Sequence, residues 1–129
     1  MNELVADLEK QVQAGLAAFE GGRPEEAQRL FETVLTIDGS HVIALKTMAT
    51  LYLNMGHFAE AEPLALKALL FGGPQPKPLL QVAEIAIQQS RWAHARVFLN
   101  RFQSTGCTDA LLLKRAAELA QLVLDSSSG

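Results

Sequence analysis

Apolar side chains recur three or four positions apart along this chain, and the whole pattern then recurs as a block. Ala27, Leu30, Phe31 and Val34 are spaced i, i+3, i+4, i+7, which puts them on one face of a helix. Ala61, Leu64, Ala65 and Ala68 repeat that face 34 residues later, and Ala95, Phe98, Leu99 and Phe102 repeat it after another 34. A second face repeats in the same phase: Leu45, Met48, Ala49 and Tyr52 match Leu79, Val82, Ala83 and Ala86, and then Leu113, Ala116, Ala117 and Ala120. Gln11, Ala14, Gly15 and Ala18 form a weaker first copy. Small residues at matched sites let neighbouring helices approach closely.

Turn residues fall into the same register at Gly22, Gly56 and Ser90, each followed two positions on by proline or an aromatic residue: Pro24, Phe58 and Trp92. The pattern predicts seven helices, at about 3–20, 24–37, 41–54, 58–71, 77–89, 91–104 and 109–124. Pro24 and Pro78 fall in first turns, where the missing N–H costs nothing. Ser40 and Thr108 read as N-caps. Pro63 resists this map, since an interior proline costs about 3 kcal/mol; either the fourth helix starts late or its first turn is distorted. The expected organisation is one domain over 1–124, with units at about 8–41, 42–75 and 76–109, a closing helix at 110–124 and a disordered tail at 125–129.

Composition narrows the partners. Apolar residues make up 49% of the chain, chiefly Ala and Leu, which favours packed helices over disorder. The net charge of −3 argues against nucleic acid as a partner. Residues 1–70 carry five basic and ten acidic side chains, and 71–129 carry six and four; an ordinary solvated surface accounts for the asymmetry, and steering of a polar partner is the alternative. Cys107 is the one cysteine, so no internal disulfide forms and a reducing compartment is expected. No apolar run reaches membrane-spanning length, and Glu3, Asp7 and Glu9 interrupt the start where a secretory signal would be apolar. Membrane insertion is therefore not expected, and a cytoplasmic location is.

The 34-residue period, with a small residue in the first helix, Gly at the turn and Ala early in the second, resembles the tetratricopeptide repeat (TPR). Gly15, Gly22, Ala27 and Phe31 carry the resemblance in unit one, Tyr52, Gly56, Ala61 and Ala68 in unit two, and Ala83 and Ala95 in unit three, where Ser90 replaces the turn glycine. The proline that usually ends the second helix is replaced by Gly39, Gly73 and Cys107. The resemblance implies an all-α fold: a right-handed superhelical stack of three hairpins plus a closing helix, with first helices lining a concave groove. It implies an adaptor, scaffold or chaperone. The short soluble layout is similar to that of bacterial type III secretion chaperones.

On that architecture, register places Val12, Leu16, Phe19, Ile43, Lys46, Thr50, Leu53, Lys77, Leu80, Glu84 and Ile87 at the groove. These residues make an apolar strip with lysines at its edge. Either it receives an apolar or amphipathic segment of a partner protein, or a short array curls and buries it. A Lys and Asn carboxylate clamp, used by some family members for chaperone tails, is excluded because Lys77 reads as isolated beside Gln81. The closing helix carries an excess of leucine, and Leu111, Leu112, Leu119 and Leu122 are candidates for a second interface. A homodimer through that helix, acting as a structural scaffold, is the alternative function.

No chemistry competes with binding. His41, His57 and His94 lack a second ligand at i+3 or i+4. Cys107 has no local His or Cys partner, Glu25 and Glu26 suit a helix start, and Gly21–Gly22 lacks the Gly-Lys-Ser of a phosphate loop. The sequence thus points to no enzyme, catalytic residue, metal or cofactor.

Overall fold

The computed structural model describes residues 2–127. Its helices are α1 (Asn2–Glu20), α2 (Pro24–Ile37), α3 (Val42–Asn54), α4 (Phe58–Gly72), α5 (Pro76–Gln88), α6 (Trp92–Ser104) and α7 (Ala110–Ser127). There is no strand among the described residues. α1/α2, α3/α4 and α5/α6 pair as hairpins, each stacks on the next, and α7 packs on both α5 and α6.

One turn is built three times. Arg23, His57 and Arg91 each donate their N–H, at 2.8 Å, to the carbonyl five residues earlier, on Ala18, Tyr52 and Ala86. This six-residue closure requires a left-handed residue just before the donor. Gly22 and Gly56 supply it with φ of 73° and 76°, while Ser90 adopts φ 58° despite its Cβ. The donor residue's own carbonyl then receives Ala27, Ala61 or Ala95 N–H, which starts the next helix. The three alanines at that second position are fully buried, because the crossing of two helices leaves room for little more than a methyl group.

The same crossing explains Gly15. A Cβ there would meet the Phe31 ring at 2.8–3.0 Å, so unit one combines glycine with a large buried ring. The other units place Ala49 with Ala65 and Ala83 with Leu99 in their clusters. Burying Phe31 contributes about 1.5–3 kcal/mol. The core forms three stations: α1–α3 around Phe31, α3–α5 around Ala61, Ala65 and Ile85, and α5–α7 around Phe102 and Leu119.

Several local expectations change. α4 starts at Phe58 and runs through Pro63 unbroken. Pro63 and Ala59, whose carbonyl loses its usual donor, are both exposed, so water can take the missing bond. The cap of α3 is His41, whose Nδ1 accepts from Ala44 N–H at 3.4 Å. Ser40 is instead turned back onto Asp38, donating its amide and hydroxyl to Oδ1 at 3.0 and 2.7 Å. These two bonds hold the Asp38 carboxyl below its ordinary pKa. Asp109, and not Thr108, caps α7: Oδ1 accepts the N–H of Leu111 at 2.9 Å and of Leu112 at 3.2 Å. α7 also runs through 125–127, which the sequence assigns to a disordered tail; 128 and 129 lie outside the described residues.

Candidate functional site: the concave face and the open side of the last helix

The concave face is divided by α7. A hollow of about 150 Å³ lies between α3, α5 and α7. α3 contributes Thr50, Leu53 and Asn54, α5 contributes Lys77, Leu80, Gln81 and Glu84, and α7 contributes Leu112, Arg115 and Leu119. Thr50, Leu53, Lys77, Leu80 and Glu84 are therefore brought together as register placed them.

The rest of the expected strip is not one open surface. Val12 is only 3% exposed and belongs to the core around Phe31. Leu80 and Ile87 are buried in the core that α5 shares with α6 and α7. α7 packs on α5, and that closes the C-terminal part of the strip. Leu16, Phe19 and Leu53 are half-buried, and Ile43 is 41% exposed. The accessible apolar surface is thus shorter than the sequence suggests.

Polar groups organise the hollow. Gln81 is buried and donates Nε2 to Thr50 Oγ1 at 2.6 Å and to the Lys46 carbonyl at 3.1 Å, tying α5 to α3. Its Oε1 is buried without a hydrogen-bond partner, an unmet acceptor of the kind that costs free energy. Arg115 pairs with Glu84 across the hollow and with Glu118 at 3.0 Å along α7. Lys46 is half-buried. Burial, and then the charge of nearby Lys77, lower its pKa. Lys77 is therefore not isolated, and that premise of the sequence reading is corrected: two cations sit within electrostatic reach of each other. Sequence reads Gln81 only as the neutral neighbour of Lys77 and does not single out Arg115, since only the stacking of helices brings residues 31 positions apart together.

The residues expected to form a second interface do not share a face. Leu119 is buried, and Leu112 is half-buried against the α5–α7 core. Leu111 and Leu122 are exposed, at 79% and 47%. They are separated along their shared face by Arg115 and Glu118, which form an ion pair. A different α7 face is open: Leu113, Ala117 and Leu124 are exposed and Ala120 is half-buried. A hollow of about 160 Å³ on that side is lined by Leu99, Phe102, Leu113, Ala116, Ala117 and Ala120 together with Gln103.

Other groups have local roles or none assigned. His57 stacks on Tyr52, with ring centroids 6.1 Å apart, and His94 is exposed. Among the described residues no group of three His, Cys, Asp or Glu could hold a metal ion. No described helix is long and apolar enough to cross a membrane.

Residues 18–76 match the family model for the tetratricopeptide repeat, and the described chain folds as a tetratricopeptide-repeat array. Its fold is similar to that of the Yersinia enterocolitica type III secretion chaperone SycD in complex with a peptide of the translocator YopD. That likeness has a TM-score of 0.80 at 15% identity, over 93% of this chain and 92% of that one. It is also similar to PcrH in complex with the chaperone binding region of PopD, with a TM-score of 0.79 at 15% identity over 95% and 92%. The second TPR of Spaghetti (RPAP3), bound to an HSP90 peptide, gives a TM-score of 0.70 at 19% identity over 74% and 89%. None of the curated proteins matches the chain in sequence.

Proposed function

We propose that this chain is a peptide-binding module whose concave face receives an apolar or amphipathic segment of a partner protein, with an acidic residue beside the apolar ones. The observation that carries this reading is the composition of the α3–α5–α7 hollow. Leu53, Leu80 and Leu112 give it apolar walls, and Lys77 stands at its edge with Lys46 close by. Burying apolar side chains of the partner supplies affinity. A carboxylate near Lys46 and Lys77 offsets their mutual repulsion. Phe19 and Ile43 continue the surface towards α1.

A small secretion chaperone working in the cytoplasm is the sharper form of this reading. Two similar structures hold a translocator peptide or the chaperone binding region of PopD, and this chain spans nearly their whole length. Under that reading, co-expression should keep an aggregation-prone apolar export substrate soluble.

The test is peptide selection on the full chain from a random display library, followed by titration of the winners. Winners should combine two or more large apolar residues with an acidic one. Leu53→Glu should weaken them at least about tenfold, the cost of roughly 1.4 kcal/mol of lost apolar contact and added repulsion, with helicity unchanged. Phe19→Glu tests the α1 end in the same way. Equal binding by both variants would remove the concave face from consideration.

A further inference from the structure

The 34-residue register separates what the stack requires from what it leaves free. The buried positions of the second helices, α2, α4 and α6, are apolar in all three hairpins. Their exposed positions differ. On the outer face of α2 these are Glu25, Arg29, Glu32 and Thr36. The matched positions of α4 are Ala59, Pro63, Leu66 and Leu70, spaced i, i+4, i+7, i+11 along one side of the helix. All four are exposed, Leu70 at 75%, and the exposed Phe71 extends the stripe. In α6 the first two matched positions are again apolar and exposed, at Ala93 and Val97. Packing of the hairpins does not call for this change from polar to apolar, and a contiguous exposed apolar surface marks a contact with another molecule.

We infer that the furrow between α4 and α6, on the outer side of the stack, binds an amphipathic helix of a partner protein whose apolar stripe is flanked by carboxylates. Shape selects a rod. Among the described residues α4 and α6 both pack on α5 and not on each other, which leaves a furrow between them. Leu69 and Phe98, half-buried against the same two cores, form its floor. Glu62 of α4 reaches across to Arg91 at 3.2 Å near the helix starts, and Leu66 and Leu69 follow on that side of α4. On the α6 wall a hollow of about 350 Å³ is lined by Ala93, His94, Val97, Phe98 and Arg101. A flat membrane surface would leave that hollow unfilled. The backbone of both walls is paired within its own helix, the Ala59 carbonyl apart, so an extended segment finds no ladder to join. A helix arrives with its own hydrogen bonds made.

Charge selects the flanking residues. α6 carries Arg96 and Arg101 and no acidic side chain. The Arg101 guanidinium lies 5.3 Å from the centroid of the Phe98 ring, inside the hollow, and also lines a larger hollow beside the α4–α5 loop. Lys67 occupies the matched position of α4, where hairpin one has Thr33. Among the described residues neither Lys67 nor Arg101 forms an ion pair, and Glu62 is already held by Arg91. The cations and the apolar stripe therefore arise together in hairpins two and three. A helix that covers Leu66, Leu70 and Val97 and brings Asp or Glu to Lys67 and Arg101 satisfies both.

Selection on the full chain from a display library of helix-forming peptides tests the inference. One set of winners should carry apolar residues at i, i+4 and i+7 with Asp or Glu beside them. Leu66→Glu, at an exposed position, should keep its helicity and melting temperature and weaken this set more than about tenfold. Leu53→Glu, in the concave hollow, should leave the set unchanged, so the outcome here is separate from that for the concave face. Lys67→Glu combined with Arg101→Glu should shift preference at least about tenfold towards the same peptides with Lys in place of each acidic residue. The absence of winners that Leu66→Glu weakens and Leu53→Glu spares, or a preference indifferent to the charge reversal, would overturn the proposal. So would binding of the chain to phosphatidylglycerol vesicles, or a dimer, that Leu66→Glu abolishes, since the face would then belong to a membrane or to a second copy.

Discussion

α5 and α7 begin from the same 34-residue template and are held in place by different physics. Nine of the thirteen residues of α5 are buried, between its hairpin partner α6, the preceding hairpin and α7. Its N-cap residue, Gln75, makes no side-chain cap, and Pro76 opens the helix without an amide to satisfy. α7 buries only one stripe, with Leu119 and Val123 its buried residues. It has the stronger cap, in which Asp109 takes two amides that would otherwise lack partners. A covered helix needs little from its ends, whereas a half-covered helix depends on them. Matched substitutions in α5 and α7 can therefore separate burial from capping within one molecule.

The largest difference is expected at the central alanine. Ala83→Glu puts a carboxylate into a fully buried helix crossing and should cost more than about 4 kcal/mol, enough to unfold a marginal domain. Ala117→Glu, at the exposed counterpart, should stay within about 0.5 kcal/mol of wild type. Urea unfolding at low protein concentration measures both. Similar losses at the two sites would mean that α7 is covered within its own chain.

One turn further towards the N-terminus the same contrast should appear in truncations. Leu79→Ala should cost about 2–5 kcal/mol through lost burial and a residual cavity, since Leu79 is only 1% exposed. Leu113→Ala should cost well under about 1.5 kcal/mol, because much of that side chain is already in water. A value for Leu113 near that for Leu79 would break the comparison.

The caps should then reverse the ranking. Asp109→Ala should destabilise by about 1 kcal/mol and fray the first turn of α7, visible as faster amide exchange at Leu111 and Leu112. Gln75→Ala, at the matched position 34 residues earlier, removes no cap to its own helix and gives up only the 3.2 Å bond from Nε2 to the Gly72 carbonyl. Its loss should stay below that of Asp109→Ala. Equal losses would show that Asp109 acts through something other than the two amides.

This contrast also explains what could be read in the chain. The hairpins were legible because each turn and each crossing is specified by a few neighbouring residues: a small side chain at 15, 49 and 83, an alanine at 27, 61 and 95, and a turn residue between them. The concave face was only partly legible. Register put Thr50, Leu53, Lys77, Leu80 and Glu84 on the facing sides of two first helices, and all five line one hollow, but it could not show that α7 would close over Leu80 and Ile87. The proximity of Lys46 to Lys77, and of Glu84 to Arg115, depends on how one hairpin seats on the next. Thr108 and Asp109 are both competent caps, and only backbone geometry selects the carboxylate. The leucines of α7 mislead for a similar reason: Leu111 and Leu112 are adjacent in sequence but diverge by about 100° around the helix, so one is exposed while the other packs inward.

The smallest effect expected lies at the turn that ends α5. Ser90 occupies the left-handed position that Gly22 and Gly56 fill in the other hairpins. An L-residue there costs about 1–2 kcal/mol, while glycine gives back part of that by enlarging the unfolded ensemble. Ser90→Gly should therefore stabilise by about 0.5–1 kcal/mol, read as a higher urea midpoint with an unchanged slope. Because Ser90 is exposed and outside the α7 stripe, the gain should be the same in the Ala117→Glu background, as expected for independent sites. A gain that disappears in that background would mean that the α5–α6 turn and the open face of α7 are energetically coupled. Hairpin three and α7 would then respond as one cooperative unit, and the difference between a buried and a half-covered helix would hold for local exposure but not for free energy.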